Sequence, residues 1–186
     1  MNSKFKFQNG TLEDVKIITP FYAEDSRGYF LKSIEKNIFQ DFGISVDIYE
    51  DFESYSFKNV IRGLHFQTKN PQIKIVRAIK GRIMDVVVDL RKKSNTFGQS
   101  MQIELSDINH LSILVPAGFA HGFRVLSEDA LVSYKCIGKY LPDYDTGIIW
   151  NDRELNIKWE IDHPVVSKRD SEHMTFLEFK NTYGGL

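Results

Sequence analysis

Cysteine is nearly missing from this chain: Cys136 stands alone among 186 residues. A lone cysteine excludes an intrachain disulfide and a cysteine-rich zinc centre, and it fits a reducing compartment. Long apolar runs are missing too. No segment reaches the ~18 apolar residues of a membrane span, and Met1 to Gly10 lacks the apolar core of a secretory leader. A cytoplasmic protein away from membranes is therefore expected. Neither charge dominates, with 24 Lys and Arg against 25 Asp and Glu. Without a bulk positive field a nucleic-acid partner is not expected, and any anionic ligand must be held by local groups. The glycine patterns of dinucleotide-binding and P-loop folds do not occur, so neither kind of nucleotide cofactor is indicated. Helical periodicity is confined to two stretches, Glu35 to Phe42 and Ser167 to Phe179, and there is no internal repeat or low-complexity tract.

What the chain does have is a series of short apolar runs rich in Phe and Tyr, separated by turn residues. They cover Val15–Ile18, Gly28–Ser33, Val60–Phe66, Ile73–Ile79, Ile83–Leu90, Ser100–Leu105, Leu111–Val115, Phe123–Leu126 and Leu131–Ile137. This spacing predicts an all-β fold, an antiparallel sandwich or barrel in one domain over residues 1–186, long enough to bury roughly 70% of its unfolded surface. Lys80-Gly81-Arg82 reads as a hairpin link and Asp107-Ile108-Asn109 as another short link, each predicted to join antiparallel neighbours. Side chains two apart share a strand face. Val132, Tyr134 and Cys136 thus point one way, and a barrel interior on that side would hold the Tyr134 phenol in an apolar cavity large enough for one ligand.

Several residues have two readings. His65, in Ile61-Arg62-Gly63-Leu64-His65-Phe66-Gln67, is either a buried imidazole satisfied by a carbonyl or a general base, with Asp170 the candidate partner. Arg62, three residues earlier, can hold an anion. Asp170 also fits position N3 of a capping box begun by Ser167. Tyr134 is either a core aromatic or a general acid. Lys74 shares a face with Val76 and Ala78, so it is either solvated or a single cation turned inward, where it would stabilise charge on a substrate oxygen by about 3 to 4 kcal/mol. His121 can orient an acid such as Asp85 or cap a turn. No His-x-His pair occurs, His65 and His121 stand apart, and His110, His163 and His173 fall in predicted turns or at a helix start, so no metal is expected.

Eight separate blocks carry a resemblance: Asp25-x-Arg27-Gly28-x-Phe30, Arg62-Gly63-Leu64-His65-Phe66-Gln67, Lys74-x-Val76-Arg77, Asp85-Val86-x-Val88-Asp89-Leu90-Arg91, Ser94-x-Thr96-Phe97-Gly98, Val115-Pro116-x-Gly118-Phe119-Ala120-His121-Gly122-Phe123, Tyr134-Lys135 and Gly147-Ile148-x-Trp150-Asn151-Asp152. From about Val15 to Asp170 the chain resembles the deoxythymidine-diphosphate-4-dehydrorhamnose 3,5-epimerase family. The resemblance implies a cupin-like jelly roll, a homodimer whose N-terminal strands complete the neighbour's site, a nucleotide-diphosphate sugar as substrate, and catalysis without metal or cofactor. It implies His65 as base, Asp170 as its polarising partner, Tyr134 as acid on the opposite face and Lys74 as enolate stabiliser. Arg62 and Arg27 become diphosphate ligands, with Phe30, Lys32, Glu50, His121 and Tyr140 around the substrate.

The chain departs from the family pattern at Lys32, where glutamate commonly accepts the thymine ring N–H, and at Glu50, Phe52 and Lys139. A lysine cannot accept a hydrogen bond, which suits cytosine better than thymine. A cytidine diphosphate 4-keto-dideoxyhexose 5-epimerase, a 3,4-ketoisomerase and a non-catalytic sugar-nucleotide binding barrel are the competing readings.

Overall fold

A computed structural model describes residues 4–186; Met1 to Ser3, part of the stretch weighed above as a leader, lie outside it. Among the described residues thirteen strands run in chain order: β1 (Lys6–Asn9), β2 (Lys16–Thr19), β3 (Phe21–Asp25), β4 (Gly28–Lys32), β5 (Ile48–Phe57), β6 (Ile61–Gln67), β7 (Ile73–Lys80), β8 (Arg82–Asp89), β9 (Ser100–Ser106), β10 (Ser112–Val115), β11 (Phe119–Val125), β12 (Asp129–Ile137) and β13 (Asp145–Gly147). The α-helices are short: α1 (Lys36–Asp41), α2 (Lys168–Ser171) and α3 (Phe176–Tyr183). No described helix is long and apolar enough to cross a membrane.

The strands form a six-stranded sheet, ordered β1-β2-β10-β7-β12-β5, and a five-stranded sheet, ordered β13-β6-β11-β8-β9, while β3 and β4 pair only with each other. Three apolar clusters account for this layering. Between the sheets, Val76, Ala78, Ile113 and Val132 meet Ile83, Val87 and Phe123. Outside the five-stranded sheet, Leu64, Val86, Val88 and Ala120 are covered by Trp159, Phe176 and Phe179. Ile18, Ile75 and Leu114 pack on the outer side of the six-stranded sheet beneath Phe39 of α1. Strand β8 is covered on both faces, which is why Val86, Val87 and Val88 read as an unbroken apolar run. The result is the jelly-roll sandwich expected.

Four expectations need correction. Lys80-Gly81-Arg82 and Asp107-Ile108-Asn109 do not join paired strands: β7 and β10 belong to the six-stranded sheet, β8 and β9 to the five-stranded one, so each link carries the chain between sheets. Gly81, at φ +74, makes the first crossing possible, because a Cβ there would stand 2.1 Å from the Asp129 carbonyl oxygen. The strand placed at Phe123 begins four residues earlier, at Phe119. The helix placed over Ser167–Phe179 is two helices, because Thr175 starts a new capping box with Glu178. Strands β1, β3, β5 and β13 lie outside the runs identified from the sequence.

Candidate active site

Strand β6 lays Leu64 and Phe66 into the outer apolar cluster and turns His65 toward the space between the sheets. Its neighbour β11 comes unusually close: a Cβ on Gly63 (φ +111) would stand 2.6 Å from Gly122 Cα, so glycine is required at that crossing. Two adjoining cavities of about 360 and 210 Å³ open there, both lined by His65, Lys74 and Phe52.

His65 Nε2 lies 2.8 Å from Asp170 Oδ1, and the other carboxylate oxygen accepts the Gly63 backbone N–H at 3.0 Å. Burial opposes the Asp170 charge, but the surrounding N–H groups of His173, His65 and Gly63 outweigh it and hold the carboxyl far below the usual carboxylate range. His173 Nε2, at 3.5 Å from Oδ1, is beyond good hydrogen-bond length and acts as a nearby dipole. Both readings of Asp170 are partly met. The Ser167 hydroxyl accepts the Asp170 backbone N–H at 3.0 Å, as an N-cap does, while the Asp170 carboxylate turns away to His65. With Nε2 donating to a carboxylate, His65 keeps Nδ1 free to accept a proton.

The six-stranded sheet supplies the facing wall. Along β12, Ala130, Val132, Tyr134 and Cys136 are buried and alternate with half-buried neighbours, so the parity argument puts Tyr134 inside as expected. Its hydroxyl meets Ser54 Oγ at 3.2 Å and its ring stacks on Phe52, centroids 4.8 Å apart. Burial holds the phenol well above its ordinary range, so it stays protonated and can donate. Lys74 turns inward beside Cys136 across the strand pair. Burial lowers its pKa, partly offset by the negative charges of Asp145, Glu50 and Asp85. Cys136 is no nucleophile, because burial pushes its thiol up to about 11.

Arg62 is held by Ser56 Oγ (2.8 Å) and the Tyr55 carbonyl (3.2 Å) and lines the inner cavity as a cation. His121 also lines it, with Nε2 2.8 Å from Oδ2 of the fully buried Asp85. Glu50, which accepts from Gln72 at 2.7 Å, and Tyr140, which donates to Asp145 at 3.0 Å, line the outer cavity. Arg27, Phe30 and Lys32 line neither cavity. They sit on the β3–β4 hairpin, where Arg27 pairs with Asp25 at 2.6 Å and Lys32 with Glu35 at 2.6 Å. Ser54 was not singled out from the sequence, Phe52 was noted there only as a departure from the family pattern, and His173 only as a histidine outside any metal pattern. Phe52 and Ser54 lie on β5, whose sequence shows no clean alternation, and His173 was visible only as a histidine three residues past Asp170.

The chain is similar to known proteins over most of its length. The family profile described as dTDP-4-dehydrorhamnose 3,5-epimerase matches residues 9–178. The chain is 44% identical over 171 residues to a dTDP-4-dehydrorhamnose 3,5-epimerase of Methanothermobacter thermautotrophicus, covering 90% of this chain and 92% of that one. Its fold is similar to the crystal structure of a dTDP-6-deoxy-D-glucose-3,5-epimerase of Legionella pneumophila in complex with dTDP-4-keto-L-rhamnose, with TM-score 0.89, 36% identity and coverage of 92% and 93%. It is also similar to a 4-keto-6-deoxy sugar epimerase of Streptomyces spheroides, with TM-score 0.92, 30% identity and coverage of 97% and 92%.

Proposed function

The chain belongs to the dTDP-4-dehydrorhamnose 3,5-epimerase family and is a nucleotide-sugar isomerase, and from that premise we propose that it inverts C3, C5 or both of a thymidine diphosphate 4-keto-6-deoxyhexose through an enolate. One observation carries the mechanism: His65, paired with Asp170 of α2, stands on the five-stranded sheet and Tyr134 on the six-stranded sheet, so base and acid reach one cavity from opposite walls.

The C4 carbonyl acidifies the hydrogens on C3 and C5. His65 Nδ1 takes one of them, Asp170 stabilises the imidazolium that forms, and Tyr134 returns a proton to the other face of the ring, inverting the centre. Lys74 supplies a cation where the enolate oxygen develops charge, a contribution of about 3 to 4 kcal/mol. No redox step occurs. Arg62 takes the diphosphate, and Glu50, His121 and Tyr140 border the substrate.

Arg27, Phe30 and Lys32 serve the site of a second protomer in a homodimer. Supporting this, Tyr29 and Phe30 of the hairpin are 55% and 59% exposed, and Tyr55 and Phe57 on the outward side of β5 are 47% and 67% exposed, an apolar surface of the kind that pairs. Mixing inactive His65→Ala and Arg27→Ala proteins tests it, since hybrids of a shared-site dimer regain about a quarter of the native sites. The proposed setting is the cytoplasm, where the lone Cys136 stays reduced.

Cytidine is the second reading, favoured by Lys32, which cannot accept from thymine. Against it, Lys32 is engaged by Glu35, whose carboxylate places an acceptor beside it. Incubation in heavy water with thymidine and cytidine diphosphate 4-keto-6-deoxyglucose, followed by NMR, decides among these. Deuterium at both carbons identifies a 3,5-epimerase, and at C5 alone a 5-epimerase. Clear cytidine preference overturns the thymidine assignment. Exchange at neither carbon with either nucleotide refutes epimerisation of the 6-deoxyhexose in favour of the dideoxyhexose 5-epimerase, the ketoisomerase or the binding barrel.

A further inference from the structure

Two imidazoles approach the same oxygen of Asp170. His65 Nε2 stands 2.8 Å and His173 Nε2 3.5 Å from Oδ1, and the three atoms lie within 4.8 Å of one another. His173 is held there firmly. Its side chain is 8% exposed and its ring meets His65 edge-on at 5.5 Å. Gly147 makes the room, because a Cβ at that position would stand 2.5 Å from His173 Cδ2 and 2.6 Å from Nε2. The His173 Nε2 atom is nonetheless buried without a hydrogen-bond partner. A buried polar atom left unmatched is costly, and the proton transfers described above make no use of it.

Two imidazole nitrogens and a carboxylate oxygen converging on one point are the donor set of a divalent transition metal, zinc above all. Around a tetrahedral zinc, with bonds of about 2.0 to 2.2 Å, neighbouring donor atoms stand roughly 3.4 Å apart. The separations of 2.8 and 3.5 Å fall on either side of that value. His65 is 28% exposed and lines both cavities, so the wall holding these three groups borders open space.

We infer that His65, Asp170 and His173 form an inhibitory zinc site in the wall of the active-site cavity. The consequence follows from imidazole tautomers. In the metal-free protein the His65 proton sits on Nε2 and is donated to Asp170, so Nδ1 accepts. An ion on Nε2 displaces that proton, the neutral ring must then carry it on Nδ1, and the base is lost. Binding follows from the geometry alone. Only the inhibition rests on the proposed role of His65.

The test uses the untagged full chain. Co²⁺ is titrated by visible absorption and Zn²⁺ by calorimetry, and deuterium exchange into the keto sugar is followed in parallel, each variant being referred to its own rate in EDTA. The expected result is one ion per chain, loss of exchange in step with occupancy, and recovery with EDTA. His173→Leu should weaken binding at least about tenfold; His173→Gln, which keeps a polar side chain, guards against a folding failure and should do the same. Absence of a cobalt spectrum in the native protein, or native affinity in both folded variants, overturns the site. His65→Ala separates the two claims. If it is inactive yet binds Co²⁺ as tightly as the native protein, the metal site falls and the base assignment stands. If it loses Co²⁺ but keeps exchange, the metal site stands and the base assignment falls.

Discussion

Replacing Asp170 with Asn changes almost no volume, yet it should cost the enzyme most of its activity through the tautomer of His65. The carboxylate accepts from two donors at once, His65 Nε2 at 2.8 Å and the Gly63 backbone N–H at 3.0 Å. An asparagine has one acceptor oxygen and one amide NH₂. The Gly63 N–H is part of the backbone and cannot turn away, so the amide oxygen stays with it and the NH₂ faces His65. The ring must then accept on Nε2 and carry its proton on Nδ1, the wrong form for a base. General-base catalysis by a positioned side chain is worth about 10²- to 10⁴-fold, and that range is the expected loss in kcat. Stability should fall by only about 1 to 3 kcal/mol, the scale of a charge-assisted hydrogen bond weakened in place. The assay is the rate of deuterium entry at C3 and C5 at saturating substrate, with a urea melt to show that the fold persists. A folded Asp170→Asn enzyme within about threefold of the native rate would refute the tautomer argument.

Lys74→Met should remove activity while stabilising the unliganded protein by on the order of 1 kcal/mol, because a buried ammonium whose charge burial disfavours is exchanged for a side chain suited to the cavity; a lowered urea midpoint would contradict this. Tyr134→Phe should abolish inversion by about 10²-fold or more while leaving substrate affinity within a few fold, and since burial holds the phenol above its usual range, the native rate should show no loss from Tyr134 ionisation up to about pH 10. An alkaline limb that disappears only in the phenylalanine variant would count against it. Asp89 is fully buried, and its charge, opposed by burial, is held by Arg91 (2.7 Å), Ser94 (2.6 Å) and Thr96 (2.7 Å) strongly enough to keep its pKa below the usual value. Asp89→Asn should cost about 3 to 5 kcal/mol at pH 7. A depressed folded pKa stabilises above the unfolded value of about 3.9 and is lost as pH falls through the folded one, so the gap between native and variant urea midpoints should narrow below about pH 4. A gap constant with pH would show that the charge is not what matters.

Much of the site was legible locally. Strand alternation has a fixed period of two, so Ala130, Val132, Tyr134 and Cys136 had to share a face whatever lay opposite, and the same rule set Lys74 beside Val76 and Ala78. The Ser167 cap on Asp170 was visible in three residues' spacing for the same reason, since capping is a contact within one turn. Strand β5 was not legible, because Ile48–Phe57 carries acidic and hydroxyl residues at nearly every other position and lies at the sheet edge, where burial imposes no clean pattern. The two short links misled because link length limits how far apart strand ends can be and says nothing about which strand each one pairs with; only the packing of two apolar faces sends β7 and β8 into different sheets.

By itself, then, the sequence determined which residues share a strand face, which chemical groups the chain can bring to bear, and the family to which it belongs. The tertiary structure alone decided that Asp170, capped by its own neighbour, turns its carboxylate to a histidine 105 residues away, that His65 and Tyr134 stand on different sheets, and that His173 comes within 3.5 Å of the same oxygen. These contacts depend on how two sheets and a C-terminal segment pack, and packing free energy is a property of the whole core rather than of any window of the chain.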